Sequence, residues 1–420
     1  MSITVFPGVD FGTTNSTVAL GTADGAPQLV ALEGEHLSLP SALFFSLEDG
    51  ETYYGRAAVD EYVDGAEGRF MRALKSILGS SLMKETTAVG RQRMSFEALI
   101  GCFLKRLRER LEAATGAAAG PVVFGRPVRF VDEDDAADAR AEEELARAAQ
   151  SVGFSHVEFQ FEPVAAALYA ERQLTAERLA LVVDIGGGTS DFTLVRLSPE
   201  RARSLDRRED ILATGGVHVG GTDFDRLLNI ARMQPLLGLG SFTRDGKREM
   251  PRWYFNDLAT WHRVNLLYTQ KIRRDVFELT REAAEPEKLE RLAHILESRS
   301  GHRLAGAVER AKITLTDEPE TAIRLSEPGL KLDAPVRRAD FEMVTEELTL
   351  RITDAIEAVL GGAGAKAKAV ETVILTGGGA EVPAVRRAAL APFPHAEVTR
   401  SDAFGSVGLG LALDAARRFR

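Results

Sequence analysis

Residues 182–197, VVDIGGGTSDFTLVRL, hold the residue types around which the chemistry of this chain can be built. A β-branched run ends in Asp184, bends through Gly186, Gly187 and Gly188, passes Thr189, and resumes as an alternating strand. Glycines in such a bend let backbone N–H groups converge on an anion, and Thr189 adds a hydroxyl. Asp184, at the strand end, offers the hard oxygen that a magnesium ion takes, directly or through water. These are the parts of a magnesium and nucleoside-phosphate site. Taken alone, the same segment also reads as a glycine-rich hairpin with ordinary turn chemistry.

A second hairpin narrows the choice. Residues 5–20, VFPGVDFGTTNSTVAL, set out Asp10, Gly12, Thr13 and Thr14 in the order of Asp184, Gly186 and the Gly188–Thr189 end of the other bend. Two strand-turn-strand units with an acid at the turn imply an internal duplication, hence two lobes and a cleft. One hairpin can then hold each side of a phosphate chain while Asp10 and Asp184 share one metal.

Other elements must bring further groups to that cleft. The segment FQFEPVAAALYA predicts a strand ending at Glu162 and a helix opening at Pro163, which leaves the Glu162 carboxylate at the junction; its plainer role is to favour the positive helix end. RFMRALKSILG predicts a helix with Phe70, Leu74, Ile77 and Leu78 on one face and Lys75 off it, followed by a longer helix over 95–114. A paired glycine turn, Gly220 and Gly221, precedes a helix near Asp223, and Glu309 and Lys312 are spaced to share one side of another, where a surface ion pair is the simple reading. Near the C-terminus, strand 373–376 runs into Gly377, Gly378 and Gly379, a bend small enough to approach a nucleoside. The predicted division is a first lobe over 1–178, with core 1–35 and 113–178 around an inserted 36–112. A second lobe covers 179–420, with core 179–231 and 307–420 around a mostly helical insert, 232–306. Trp253, Tyr254, Phe255 and Trp261 of that insert are expected in its core.

The length of 420 residues suits such a duplicated body, and the formal net charge of -10 argues against broad binding to nucleic acid or an anionic membrane. No apolar run reaches the length of a membrane span, and the first residues lack the pattern of a secretion signal. Cys102 is the single cysteine, so no intrachain disulfide forms and a cytoplasmic location is expected. It is expected on a buried helix face.

DFGTTNS at 10–16, FEPVAAALYA at 161–170, VDIGGGTSDFTLV at 183–195, HVGGTDFD at 218–225, ERAKITL at 309–315 and TGGGAEVP at 376–383 resemble, in order and spacing, the motifs of the nucleotide-binding domain of the 70-kilodalton heat-shock protein (DnaK-like) family. The resemblance covers nearly the whole chain and is nearest to the short bacterial YegD-like members. It implies an α/β fold of two duplicated, actin-like (ribonuclease-H-like) lobes around a nucleotide cleft, with ATP or ADP and Mg2+ as cofactors. It further implies that Asp10 and Asp184 hold Mg2+ through water, and that Thr13, Thr14 and the bend from Gly186 to Thr189 hold the phosphates. Lys75 would orient the attacking water, Glu162 would join the magnesium and water network, and Asp191 would add to the polar surroundings. Gly221, Glu309, Lys312, Thr316, Gly378 and Gly379 would surround ribose and base, with Asp402 closing the pocket. The reaction would be ATP hydrolysis with water as nucleophile, in which positioning and charge stabilisation carry the rate.

Two positions depart from the family. Ile313 and Glu381 stand where the chaperones carry the arginines that embrace adenine. The family's apolar linker, peptide-gripping β-sandwich and helical lid have no counterpart in this sequence, so a chaperone-like switch would act on an unidentified protein partner, such as a co-chaperone-like factor. A monomer is favoured. Competing expectations are a nucleotide-binding scaffold with weak or no turnover, a small-molecule kinase of the same fold, and a filament-forming actin-like protein.

Overall fold

The computed structural model describes residues 5–22, 25–90, 92–131, 134–172, 174–400 and 405–420. Asp402, expected to close the nucleotide pocket, lies outside them. Two sheets organise the chain, and they have the same topology. In the first, β1 (Val5–Phe11) pairs antiparallel with β2 (Asn15–Thr22), which is followed by β3 (Gln28–Leu29). On the other side of β1 lie β4 (Pro121–Arg126) and β5 (His156–Phe161), both parallel. In the second sheet, β6 (Arg178–Ile185) pairs antiparallel with β7 (Ser190–Leu197), which is flanked by β8 (Ile211–Val217). The parallel strands β9 (Thr372–Thr376) and β10 (Glu397–Arg400) continue on the far side of β6. The orders β3-β2-β1-β4-β5 and β8-β7-β6-β9-β10 therefore correspond strand for strand in sequence order and direction.

These strands form because their apolar residues are buried on both faces, as parallel-containing sheets require. Val9, Phe11, Val18, Val122 and Phe124 are buried in the first sheet, and Leu181, Val183, Ile185, Phe192 and Leu194 in the second. Helix α1 (Phe96–Thr115) covers the first sheet with Leu99, Ile100, Phe103, Leu107 and Leu111, while Cys102 packs partly buried beside them. Its N-cap, Ser95, accepts a hydrogen bond from the Ala98 N–H. Between the sheets run α2 (Glu162–Glu171) and the last helix, Ser406–Arg418. The last helix packs against α2 so closely that a Cβ on Gly410 would sit 1.8 Å from the Ala165 carbonyl oxygen.

Three expectations are corrected. GRFMR, 68–72, is a strand rather than the start of a helix: it pairs antiparallel with Ala42–Ser46 and turns Met71 into the core. Strand pairing overrides the helical spacing here. The chain then passes Ala73 at φ 56° into a single 3-10 turn, Leu74–Ile77. In the insert, Tyr254 and Phe255 are buried on the helix Arg252–Ala259, but Trp253 is 44% exposed. Trp261 is half-buried and packs outward, on Tyr62 and Phe70 from the first part of the chain and on His302. Lys312 does not pair with Glu309; its Nζ lies 2.8 Å from Asp225 Oδ2.

Candidate functional site

Both hairpin bends end their strands at the same cleft. In the registers, Asp10 stands opposite Thr17 and Asp184 opposite Asp191. The first bend is held from behind by Ser41, whose Oγ donates to the Gly12 carbonyl at 2.6 Å and lies 2.9 Å from Ser16 Oγ. The second is held by α3 (Gly221–Arg232): the N–H groups of Gly221 and Thr222 donate to the carbonyls of Gly186 and Gly187 at 3.0 and 2.8 Å. Gly220 must be glycine for this contact, because a Cβ there would lie 2.4 Å from the Gly188 nitrogen. Thr189 Oγ1 donates to Asp191 Oδ2 at 3.1 Å. Thr13, Thr14, Gly188 and Thr189 remain exposed to the cleft.

The cavity between the bends measures about 360 Å³. It is lined by Asp10, Gly12, Thr13, Thr14, Lys75, Glu162, Asp184, the residues Gly186 to Thr189, Gly221, Glu309, Lys312 and the triplet Gly377 to Gly379. The triplet bends away from β9 at Gly377, whose φ of 80° favours glycine; a Cβ would also lie 2.6 Å from Asp184 Oδ1. Thr316 is not in the cavity wall. It sits further along the helix α5 (Gly301–Asp317), counting Arg252–Ala259 as α4, and its carbonyl accepts from Arg338 Nη2 at 3.2 Å. Gly220 stays behind the glycine bend. Asn15, Asp225, Val382 and the hydroxyl pair Thr376 and Ser406, 2.8 Å apart, also line it and were not singled out from sequence, whereas Ile313, read there as a departure from the family, lies in the same wall. A second cavity of about 540 Å³ shares Glu162, Asp184, Thr189, Asp191, Thr376 and Val407 with the first, and reaches the edge strand β8.

The floor of the cleft is a crowd of carboxylates around one lysine. Lys75 Nζ donates to Glu162 Oε1, with only 8% and 16% of the two side chains exposed. Burial opposes the Lys75 charge, but Glu162 and Asp10 outweigh it, and the pKa of the ammonium is raised. Asp10 and Asp184 keep a partial path to solvent, yet the enclosing protein desolvates them. Desolvation first, then Glu162 and Asp184, pushes Asp10 up to about 8 against the pull of Lys75. Desolvation, Asp191 and Glu162 push Asp184 up to about 7. One ammonium is too little positive charge for this set, so the site favours an added cation. Among the described residues no three His, Cys, Asp or Glu side chains converge closely enough to ligate a metal unaided. The donor set therefore fits a hard ion held largely through water and ligand oxygens.

A sequence model described as Hsp70 protein matches residues 6–233 and 281–416. The chain belongs to the Hsp70 family. The chaperone protein DnaK of Thermotoga neapolitana is 27% identical over 423 residues, covering 97% of this chain and 59% of its own length. That of Thermus thermophilus is 26% identical over 439 residues, covering 97% and 60%. For DnaK of Thermosipho africanus the figures are 26% over 389 residues, 90% and 53%. The chain thus spans less than two thirds of the length of these relatives.

The fold is accordingly the α/β ATPase type of actin and Hsp70, and the cavity between its glycine bends is the nucleotide cleft of that fold. Family membership implies nucleotide binding of the ATPase type. The Hsp70 match omits 234–280, the stretch that contributes α4, Trp261 and Arg263. Among the described residues no helix is long and apolar enough to cross a membrane.

Proposed function

We propose that this chain binds ATP in the cleft with Mg2+ and hydrolyses it to ADP and phosphate, acting as a nucleotide-dependent switch. The observation that carries the reading is the contact of Lys75 with Glu162 beside Asp10 and Asp184, enclosed between two glycine bends. Asp10 and Asp184 would hold Mg2+ through water, where the ion supplies charge neutralisation for the phosphate chain. The bends at Gly12 to Thr14 and Gly186 to Thr189 present N–H groups and hydroxyls to phosphate oxygens. Lys75 orients the water that attacks the γ-phosphorus and offsets charge on its oxygens, and Glu162 fixes the position of the ammonium. As the water oxygen bonds to phosphorus, the bond to the bridging oxygen breaks and ADP leaves. Gly221, Glu309, Lys312, Gly378 and Gly379, which line the cavity, would surround ribose and base, and Thr316 would act from behind.

The division at residue 178 into two lobes, each with an insert, belongs to the same reading, as do a monomeric cytoplasmic protein and a short YegD-like membership. A protein partner would read the open and closed states of the cleft.

One observation supports a scaffold with little turnover instead. Ile313 lines the cleft and is 58% exposed where the chaperones place an arginine, so the base loses a stacking cation. Calorimetric titration with ATP, ADP, GTP and AMP in magnesium, paired with phosphate release by wild type and K75A, decides between the two. Adenine-selective binding with Lys75-dependent release is expected; nucleotide binding without release establishes the scaffold.

A further inference from the structure

A third cavity, of about 440 Å³, adjoins the nucleotide cleft, and Thr222 lines both. Three separate stretches of chain form its wall. Arg72 ends the strand 68–72, Thr222, Asp223 and Arg226 belong to the first turns of α3, and Asn256 to Arg263 contribute from the end of α4 and the loop after it. The last group lies within 234–280, outside the Hsp70 match.

The charged groups of this wall are unequally committed. Arg263 Nε donates to Asp257 Oδ1 at 2.6 Å, and Asp223 accepts the Gly220 N–H at 3.1 Å. The guanidinium groups of Arg72 and Arg226, in contrast, make no hydrogen bond or ion pair with any described residue. The Arg72 guanidinium lies over the Trp261 ring, 4.2 Å from its centroid, and is reached by solvent. Protein still surrounds it closely enough for desolvation to lower its pKa, against the opposing pull of Glu309 and Tyr62. Asp223 and Asp257 also line the wall, but neither pairs with Arg72 or Arg226, so the two guanidiniums repel each other across the concavity and an anion between them removes that repulsion. The planar fork of arginine matches carboxylate and phosphate oxygens in pairs.

We propose that this cavity binds a small oxyanion-bearing metabolite, a phosphate ester or a carboxylate, held between Arg72 from the first part of the chain and Arg226 from the second. The inference does not depend on hydrolysis of a nucleotide in the neighbouring cleft.

Trp261 reports on the site directly. The chain has two tryptophans, so W253F leaves Trp261 as the only one. Titrating this full-length variant with inorganic phosphate and, separately, with succinate should change the Trp261 emission saturably. Saturation by phosphate alone assigns a phosphate ester, and by succinate alone a carboxylate. Adding R226Q should weaken binding by roughly tenfold or more, with R226K recovering part of it and circular dichroism unchanged. K75A separates the two cavities: phosphate bound in the nucleotide cleft would be weakened by K75A and not by R226Q. That pattern, an emission change surviving R226Q, or no saturable change with either anion would overturn the assignment.

Discussion

Thr14 and Gly187 are where the two glycine bends meet: a Cβ on Gly187 would lie 2.7 Å from Thr14 Oγ1 and 3.1 Å from its Cγ2. Thr14 is β-branched and stiff at χ1, so it cannot simply swing aside. G187A should therefore hold the bends apart and weaken ATP binding by roughly tenfold, about 1.4 kcal/mol, with the fold kept. In a double-mutant cycle T14G should recover much of this loss. Calorimetry on the four proteins measures the coupling, and additive losses would show that the two residues do not constrain each other.

Lys75 is buried against Glu162 with Asp10 close by. K75A should lower single-turnover phosphate release by roughly two to three orders of magnitude, the usual effect of removing one charge-stabilising donor. ADP affinity should change only a few fold. Parallel loss of folding, binding and release would make the lysine structural.

His302 is 3% exposed, lies 3.1 Å from the Trp261 carbonyl through Nε2, and packs at a tilt against the Tyr62 ring, centroids 4.6 Å apart. Desolvation, with Arg72 adding to it, lowers its pKa to about 4 despite the carbonyl contact. Between pH 6.5 and 4 the unfolded chain binds a proton there that the folded chain refuses, so stability falls as pH falls through that window. The full shift corresponds to on the order of 3 kcal/mol. Denaturant titrations from pH 7 to 4 should show a steeper decline for wild type than for H302Q; equal slopes would refute the assignment.

Arg207 has no exposed side-chain surface. Both terminal nitrogens donate to Glu171 at 2.8 Å, and Nε donates to Asp210. Removing one partner of such a buried set strands the others, so R207A should cost about 3 to 5 kcal/mol in urea unfolding. Replacing Glu171 by Leu in the same variant should return part of that loss.

Ile313 lines the cleft and is 58% exposed. I313R should raise ATP affinity by about 0.5 to 2 kcal/mol through stacking on the base. Competition titration with a fluorescent ATP analogue gives the value, and unchanged affinity would mean that the base does not bind against this helix face.

The parts of the site that sequence reading reached were those with local signatures. Asp10 and Asp184 stand near the ends of apolar, β-branched strand runs, and each is followed by a glycine-bearing bend. Glu162 was legible because Pro163 marks a helix start. Lys75 was found through family resemblance, while the helix expected around it was wrong: the apolar spacing of 70–78 fits a helix, and pairing of 68–72 with 42–46 imposed a strand. Ser41, Asp225 and Ser406 went unread because a side chain that braces a distant bend leaves no mark in its own neighbourhood.

The sequence by itself determined the duplicated strand-bend-strand units, the glycines that make close approach possible, and the acids and hydroxyls brought to each bend. These follow from backbone sterics and residue chemistry over a few positions. Only the tertiary structure decided that Lys75 meets Glu162, that Lys312 chooses Asp225 over Glu309, and that Trp261 of the insert reaches Tyr62 and Arg72 on the far side of the cleft. Each choice depends on which elements pack side by side, and burial of apolar surface across the whole chain sets that packing.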